Sequence, residues 1–252
     1  MRDPPVAIEW IEADWPAPLR VRAGITGRGG GVSLPPFDGF NLAAHVGDDP
    51  EAVSQNRQLL GRNLHLPGEP LWLEQTHSNR VIQVPGADTL QADAVVTNRP
   101  GIVCAVLTAD CVPVLMSDLD GTRIAAVHVG WRGFSKSILD NTLDQLGRNP
   151  AQLLAWLGPH ISGESYEVGE DVHEACLAYL PEGDGAFTLN PRGRLQCSLD
   201  RLISLALQRR GVSRINHAGR CTYTEPEAFY SYRREPRTGR MASLIWMDKS
   251  GI

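Results

Sequence analysis

The sequence is short of lysine, of long apolar runs and of paired cysteines, and each shortage removes a class of protein. Lysine occurs only at Lys136 and Lys249, so nearly all of the 24 basic residues are arginine. The 29 acidic residues outnumber them to give a net charge of -5, with no basic block. The electrostatic footprint of a nucleic-acid or anionic-membrane binder is therefore missing, and small molecules are the expected partners. No apolar run approaches the roughly 18 residues of a membrane-spanning helix. The opening residues MRDPPVAIEWIEADW put acids and prolines where a signal peptide needs an apolar core, which predicts a protein that is not exported. Cys104, Cys111, Cys176, Cys197 and Cys221 are odd in number, widely spaced and free of any CxxC pair. Neither a disulfide framework nor a zinc finger is expected, and a reducing cytoplasm suits them.

What is present describes an ordinary globular chain. With 252 residues, 42% apolar and 21% charged, it is neither disordered nor fibrous. Size scaling lets a chain of this length bury roughly 70 to 75% of its unfolded surface. No linker, repeat or low-complexity stretch appears, so one domain over residues 1–252 is expected.

Residues 18 to 26 alternate like a strand, and the glycines and prolines from Gly27 to Phe40 predict a loop. Asp49, Pro50 and Glu51 open a helix through Leu60. Ile138, Leu139, Thr142, Leu143 and Leu146 share one face of another helix, which Gly147 stops. LLAWLGPH reads as a strand into a loop, EDVHEACLAYL as a helix stopped by Pro181, and SLDRLISLALQRRG as a helix between a Ser198 cap and Gly211. Residues 242 to 247 read as the last strand. Interspersed strands and helices define a mixed α and β class.

Three apolar runs end in residues of unusual chemical type: LWLEQTH at His77, GIVCAVLTADC at Cys111 and TRIAAVHVGWRG at His128. Runs such as IVCAVL suit strands buried on both faces, and Pro113 is expected to mark an interruption or a sheet edge. Two imidazoles and a thiolate make the three-ligand shell of a catalytic zinc, with a position left for water or substrate. The gaps between them bring them together only if strand ends converge at a sheet edge. The bland alternative is a buried apolar Cys111 and two satisfied loop histidines.

The segments FNLAAHVGDDPEAVSQNR, QTHS, LTADCVPVL, AAVHVGWRG, LGPHISGESYEVG and FYSYRREPRTGRMASLIW follow one another over nearly the whole chain. In these the sequence resembles the laccase-domain, or multicopper polyphenol oxidase, family. The resemblance implies a four-layer α/β/β/α fold with mixed sheets, related to the cytotoxic necrotizing factor deamidase. It implies a zinc on His77, Cys111 and His128. It also implies purine nucleoside phosphorylase activity on adenosine, inosine and methylthioadenosine, with adenosine deaminase as a side activity. Copper-dependent polyphenol oxidation and the editing of peptidoglycan precursors are the alternatives. Ser78 and Val129 depart from the residues frequent in the family, and neither is a ligand.

Oxygen reduction at a multicopper centre calls for a large set of imidazoles, whereas this chain has seven histidines and no HxH pair. A single His2Cys site still binds copper, which outcompetes zinc for such donors, so Cu2+ is the alternative to Zn2+. For phosphorolysis, Arg28 beside the glycines at 29 to 31 and Arg132 beyond His128 are the candidate phosphate ligands, each with a solvated arginine as its alternative. Asp110 either orients a ligand imidazole or caps a loop. Trp131 either stacks on a purine or packs under its turn. His45 either approaches the metal or caps a turn. No role follows for Asn41, Arg57, Tyr166 or Arg233, and His160, His173 and His217 are expected to be structural. With Cys111 as nucleophile and His128 as base, the same residues would instead make a metal-free cysteine hydrolase.

Overall fold

The computed structural model describes residues 7–249. The single-domain expectation over 1–252 and the opening residues of the export reading extend beyond these bounds. In chain order the elements are β1 (Trp10–Glu12), β2 (Val21–Thr26), α1 (Pro50–Asn63), β3 (Leu71–Trp72), β4 (Val81–Val84), β5 (Ala94–Thr97), β6 (Val103–Thr108), β7 (Val112–Asp118) and β8 (Ile124–Val129). There follow α2 (Trp131–Ser135), α3 (Ile138–Leu146), β9 (Leu153–Leu157), α4 (Glu170–Tyr179), β10 (Phe187–Leu189), β11 (Leu195–Cys197), α5 (Leu199–Arg209), β12 (Arg214–His217) and β13 (Met241–Met247).

Alternation along the buried strands dictates the layering. In β6, Cys104 and Val106 point to one core, while Val103, Ala105 and Leu107 point to another. In β8, Ile124 and Ala126 join the core of Cys104, and Ala125, Val127 and Val129 face the helices α3 to α5. Strands buried on both faces read as continuous apolar runs because each face has its own cover. A five-stranded sheet, β1-β2-β13-β6-β3, thus lies on a six-stranded sheet, β12-β9-β7-β8-β5-β4. Leu60 of α1 packs outside the first, and α3, α4 and α5 cover the second. The result is the four-layer α/β/β/α arrangement with mixed sheets.

The signals of α1 and α3 act as read, whereas Ser198 stands at the start of α5 without a side-chain cap bond, its hydroxyl donating to Asp200 at 2.6 Å. Asp49 accepts from the Glu51 N–H at 3.0 Å, Pro50 opens α1, and the helix runs one turn further than Leu60. Gly147 stops α3 with a φ of 57° that favours glycine. Other readings need correction. Pro113 lies at neither an interruption nor an edge: β7 is an interior strand, and Pro113 is its second residue. The ladder to β9 begins only at Val114, and the Pro113 carbonyl still accepts from the Gly158 N–H at 2.9 Å, so the proline sits where the ladder starts. The strand expected to run to His77 is only Leu71–Trp72. Among the described residues no helix is long and apolar enough to cross a membrane.

Candidate metal centre

The connections between the two sheets assemble the site. Cys111 lies where the chain leaves β6 for β7, the second residue after Thr108 being Asp110 with a φ of 96°. His128 is the penultimate residue of β8, and Pro113 is its cross-strand partner. His77 lies in irregular chain after β3, at a φ of 56°. Of the three expected strand ends, only that of His128 is realised; a tight backbone turn does the same work for the other two.

The ligand atoms of His77, Cys111 and His128 lie within 4.8 Å of one another, with Cys111 Sγ 3.8 Å from His77 Nε2. Metal–nitrogen bonds of about 2.0 Å and metal–sulfur bonds of about 2.3 Å put tetrahedral donors roughly 3.5 Å apart, so the trio fits such an ion with small shifts. The two rings meet edge to face with centroids 4.7 Å apart. Gly130 makes this approach feasible: a Cβ there would stand 2.9 Å from His77 Cδ2 and 3.0 Å from Cys111 Sγ.

The carboxylate that holds the trio was not read from sequence. Asp93, fully buried just before β5, accepts from His128 Nδ1 at 2.8 Å, from the His77 N–H at 3.0 Å, and from both the N–H and hydroxyl of Ser78 at 2.6 Å. It fixes the proton of His128 on Nδ1 and leaves Nε2 for a metal. Burial raises the Asp93 pKa, but the hydrogen bonds from His128 and Ser78 outweigh it and bring the group down to about 2. Burial also opposes charge on Cys111 and His128. The His128 charge and the hydrogen bonds of both imidazoles nevertheless lower the Cys111 thiol to about 6, and Cys111 with Asp93 raises His128 to about 9. The only sequence signal for Asp93 was an acid ahead of the short apolar run AVV.

The trio opens into a cavity of about 460 Å3. Arg132, Arg233 and Arg240 bring positive charge to its wall, and Trp131, Tyr166 and Tyr232 bring aromatic surface. Burial lowers the Arg240 pKa, while Cys111 and Asp110 favour its charge. Trp131 packs against the helix-side core, as its turn reading expects, and also lines the cavity. His45 also lines the cavity, with its pKa lowered first by burial and then by Arg240, Arg57 and His128.

Arg28 is not part of this cavity. Its guanidinium donates to the Pro226 carbonyl and to Asp38, and lies 4.9 Å from the Tyr230 ring centre, far along the chain from the trio. Its side chain fastens a loop and is not free for phosphate. Asp110 does not orient an imidazole either: it accepts from the Thr222 hydroxyl at 2.6 Å and the Arg233 N–H at 2.7 Å, tying the 222–233 segment to the cavity floor. Arg57 donates to the Leu42 carbonyl and stacks on Trp72, and Asn41 bridges Ala43, Asp48 and Arg240.

Two sheets between helical layers, with a His2Cys group that could hold a metal ion at the floor of a cationic, aromatic-walled cavity, define a mixed α/β protein with a small-molecule-sized site. Residues 22–248 match the multi-copper polyphenol oxidoreductase laccase family, and the chain belongs to it. It is 46% identical over 241 residues to a purine nucleoside phosphorylase of Pseudomonas aeruginosa, covering 95% of this chain and 98% of that one. It is 45% identical over 239 residues to the purine nucleoside phosphorylase YfiH of Escherichia coli, covering 94% and 98%. The crystal structure of a Neisseria meningitidis protein superposes with a TM-score of 0.90 at 43% identity, over 95% of this chain and 99% of that one. YlmD from Geobacillus stearothermophilus gives 0.90 at 27% identity, over 96% and 97%.

Proposed function

We propose that this protein is a cytoplasmic, zinc-dependent purine nucleoside phosphorylase that cleaves adenosine, inosine and methylthioadenosine to free base and sugar 1-phosphate, with adenosine deamination as a side activity. One observation carries this reading: the His77, Cys111 and His128 group shares a cavity with three arginines and three aromatic rings. Guanidinium groups bind phosphate through paired N–H donors, and Arg132, in the first turn of α2 with its guanidinium 4.4 Å from the Trp131 ring centre, is the arginine assigned to it. The rings of Tyr166 and Trp131 supply flat apolar surface for a purine. Asp93 holds the His128 ring through Nδ1 and the His77 main chain through its N–H. Zinc bound here would supply Lewis acidity, which polarises substrate oxygens and makes water more acidic, the property deamination also draws on. The names of the relatives support the same substrate class. Copper on the same donors accounts for polyphenol oxidation as a copper-loaded side activity.

Purine release from inosine, measured with and without phosphate, tests the proposal. Release must depend on phosphate and yield ribose 1-phosphate; equal rates in phosphate-free buffer would indicate a hydrolase.

A second reading has specific support. The lowered Cys111 thiol beside a raised His128 is the electrostatic arrangement of a thiolate–imidazolium pair, which suits a metal-free cysteine hydrolase editing peptidoglycan precursors. Iodoacetamide separates the two. A zinc-held Cys111 labels slowly and speeds up on chelation, whereas a nucleophile labels quickly throughout and forms a covalent substrate adduct.

A further inference from the structure

Sheet register brings Arg240 beside the metal trio. β13 pairs antiparallel with β6, and its first residue, Met241, lies opposite Thr108, the last of β6. Arg240, one residue before Met241, therefore stands where the chain leaves β6 for Cys111, and it lines the cavity. The main chain is fixed there. Asn41, fully buried, accepts from the Arg240 N–H at 3.0 Å. Gly239 lets the turn approach Tyr230, since a Cβ at this position would stand 2.6 Å from the ring.

The side chain is anchored on one side only. Nη1 donates to the Thr238 carbonyl at 2.8 Å and to the Gly239 carbonyl at 2.9 Å, which occupies both of its hydrogens. Among the described residues no acceptor bonds Nε or Nη2, and no carboxylate forms an ion pair with this guanidinium. Nε and Nη2 carry the parallel N–H pair that meets an oxyanion in two bonds. The other arginines of the cavity differ. Arg233 spends Nη1 on the Glu167 carbonyl, and Arg132 is exposed, with no side-chain hydrogen bond among the described residues. The one carboxylate of the lining, Asp110, is engaged by the Thr222 hydroxyl and the Arg233 N–H. Burial works against the Arg240 charge, so an anion reaching the free edge meets a guanidinium already partly stripped of water.

We propose that Arg240 is the fixed anchor of an oxyanion site beside the metal trio, its Nε and Nη2 hydrogens taking two oxygens of inorganic phosphate. Pre-organisation singles it out among the three arginines. Its bonds to Thr238 and Gly239 already hold the side chain in one arrangement, so little rotamer freedom remains to be lost when the anion arrives. Arg132, without such bonds, adds its contact only on binding. That the oxyanion is the attacking phosphate rests on the phosphorylase reading, whereas the oxyanion site itself rests on the free guanidinium edge.

Inorganic phosphate titrated into the purified protein by calorimetry tests this without any turnover. Wild type binds it, and Arg240→Gln binds at least tenfold more weakly, with metal content and circular dichroism unchanged. Arg240→Lys keeps the charge but loses the paired edge, and falls between the two. Wild type without phosphate affinity, or Arg240→Gln within twofold of wild type, overturns the proposal. If Arg240→Gln does not fold, Arg240→Lys within twofold of wild type overturns it instead. In turnover of inosine, Arg240→Gln raises the phosphate KM and leaves the inosine KM within twofold. Purine release that ignores phosphate in wild type, together with phosphate binding lost in Arg240→Gln, would sink the phosphorylase reading and leave the oxyanion site standing. Inosine monophosphate separates the two sources of a phosphate group. Binding tighter than that of inorganic phosphate, reduced to the level of inosine in Arg240→Gln, would assign the edge to a phosphoryl group of the substrate and overturn the inorganic-phosphate assignment.

Discussion

Replacing Asp93 by Asn changes one atom in the support of the metal centre, yet its consequence follows from a count of donors. Asp93 Oδ1 accepts from His128 Nδ1 and the His77 N–H, and Oδ2 accepts from the Ser78 N–H, the Ser78 hydroxyl and the Thr76 N–H. An asparagine must turn its NH2 toward one of these groups. Facing the Ser78 side it opposes three donors, so the cheaper orientation places it against His128. His128 Nδ1 must then accept, and the ring proton moves to Nε2, the atom that would hold the metal. Loss of such a supporting carboxylate typically costs 10- to 100-fold in metal affinity, about 1.4 to 2.8 kcal/mol at 1.4 kcal/mol per tenfold. The lost charge-assisted bonds to a buried group cost a further 2 to 4 kcal/mol or so of folding stability. Competition with a chromophoric chelator reads the affinity, and urea melts of the metal-free protein read the stability. Zinc affinity within twofold of wild type in folded Asp93→Asn would refute the tautomer reasoning.

The other expectations are more local. Gly130→Ala pushes a methyl group into His77 and Cys111, and zinc affinity measured by competition should fall more than tenfold while the far-ultraviolet spectrum stays native. Arg132→Ala should raise the phosphate KM without altering zinc content, and equal loss of both would mean that Arg132 only shapes its turn. Arg28→Ala should leave phosphate kinetics unchanged and lower stability by about 1 kcal/mol in urea, the scale of one ring contact and one partly exposed ion pair. Leu60→Ala, which opens a cavity between α1 and the five-stranded sheet, should cost about 2 to 5 kcal/mol in the same assay.

Elements whose signal is local were legible in the sequence. The caps at Asp49 and Gly147, the apolar stripe of α3 and the buried runs of β6 and β8 act through neighbouring residues, and they appear where read. Elements that exist through distant partners were not. β4 and β5 have four residues each and are held by one another and by β8, and the β10–β11 hairpin is three residues a side. α2 is one turn of helix over WRGFS, where the glycines suggested only a turn. The same contrast divides the site. The metal trio shows its chemistry in residue type, and the resemblance carried it further, but Asp93 reaches His128 across 35 residues. Arg28 misled in the opposite direction: its glycine neighbours looked like an anion nest, whereas its charge is spent on Asp38 and the Pro226 carbonyl.

The central claim is that His77, Cys111 and His128 hold one zinc on which phosphate-dependent cleavage of purine nucleosides depends. The most direct measurement follows ribose 1-phosphate formation from inosine in chelated and zinc-reloaded protein, in wild type and Cys111→Ala. The account predicts no activity after chelation and full recovery with zinc in wild type, and none under either condition in Cys111→Ala. Full activity in the chelated wild type, with a substrate adduct on Cys111, would contradict it.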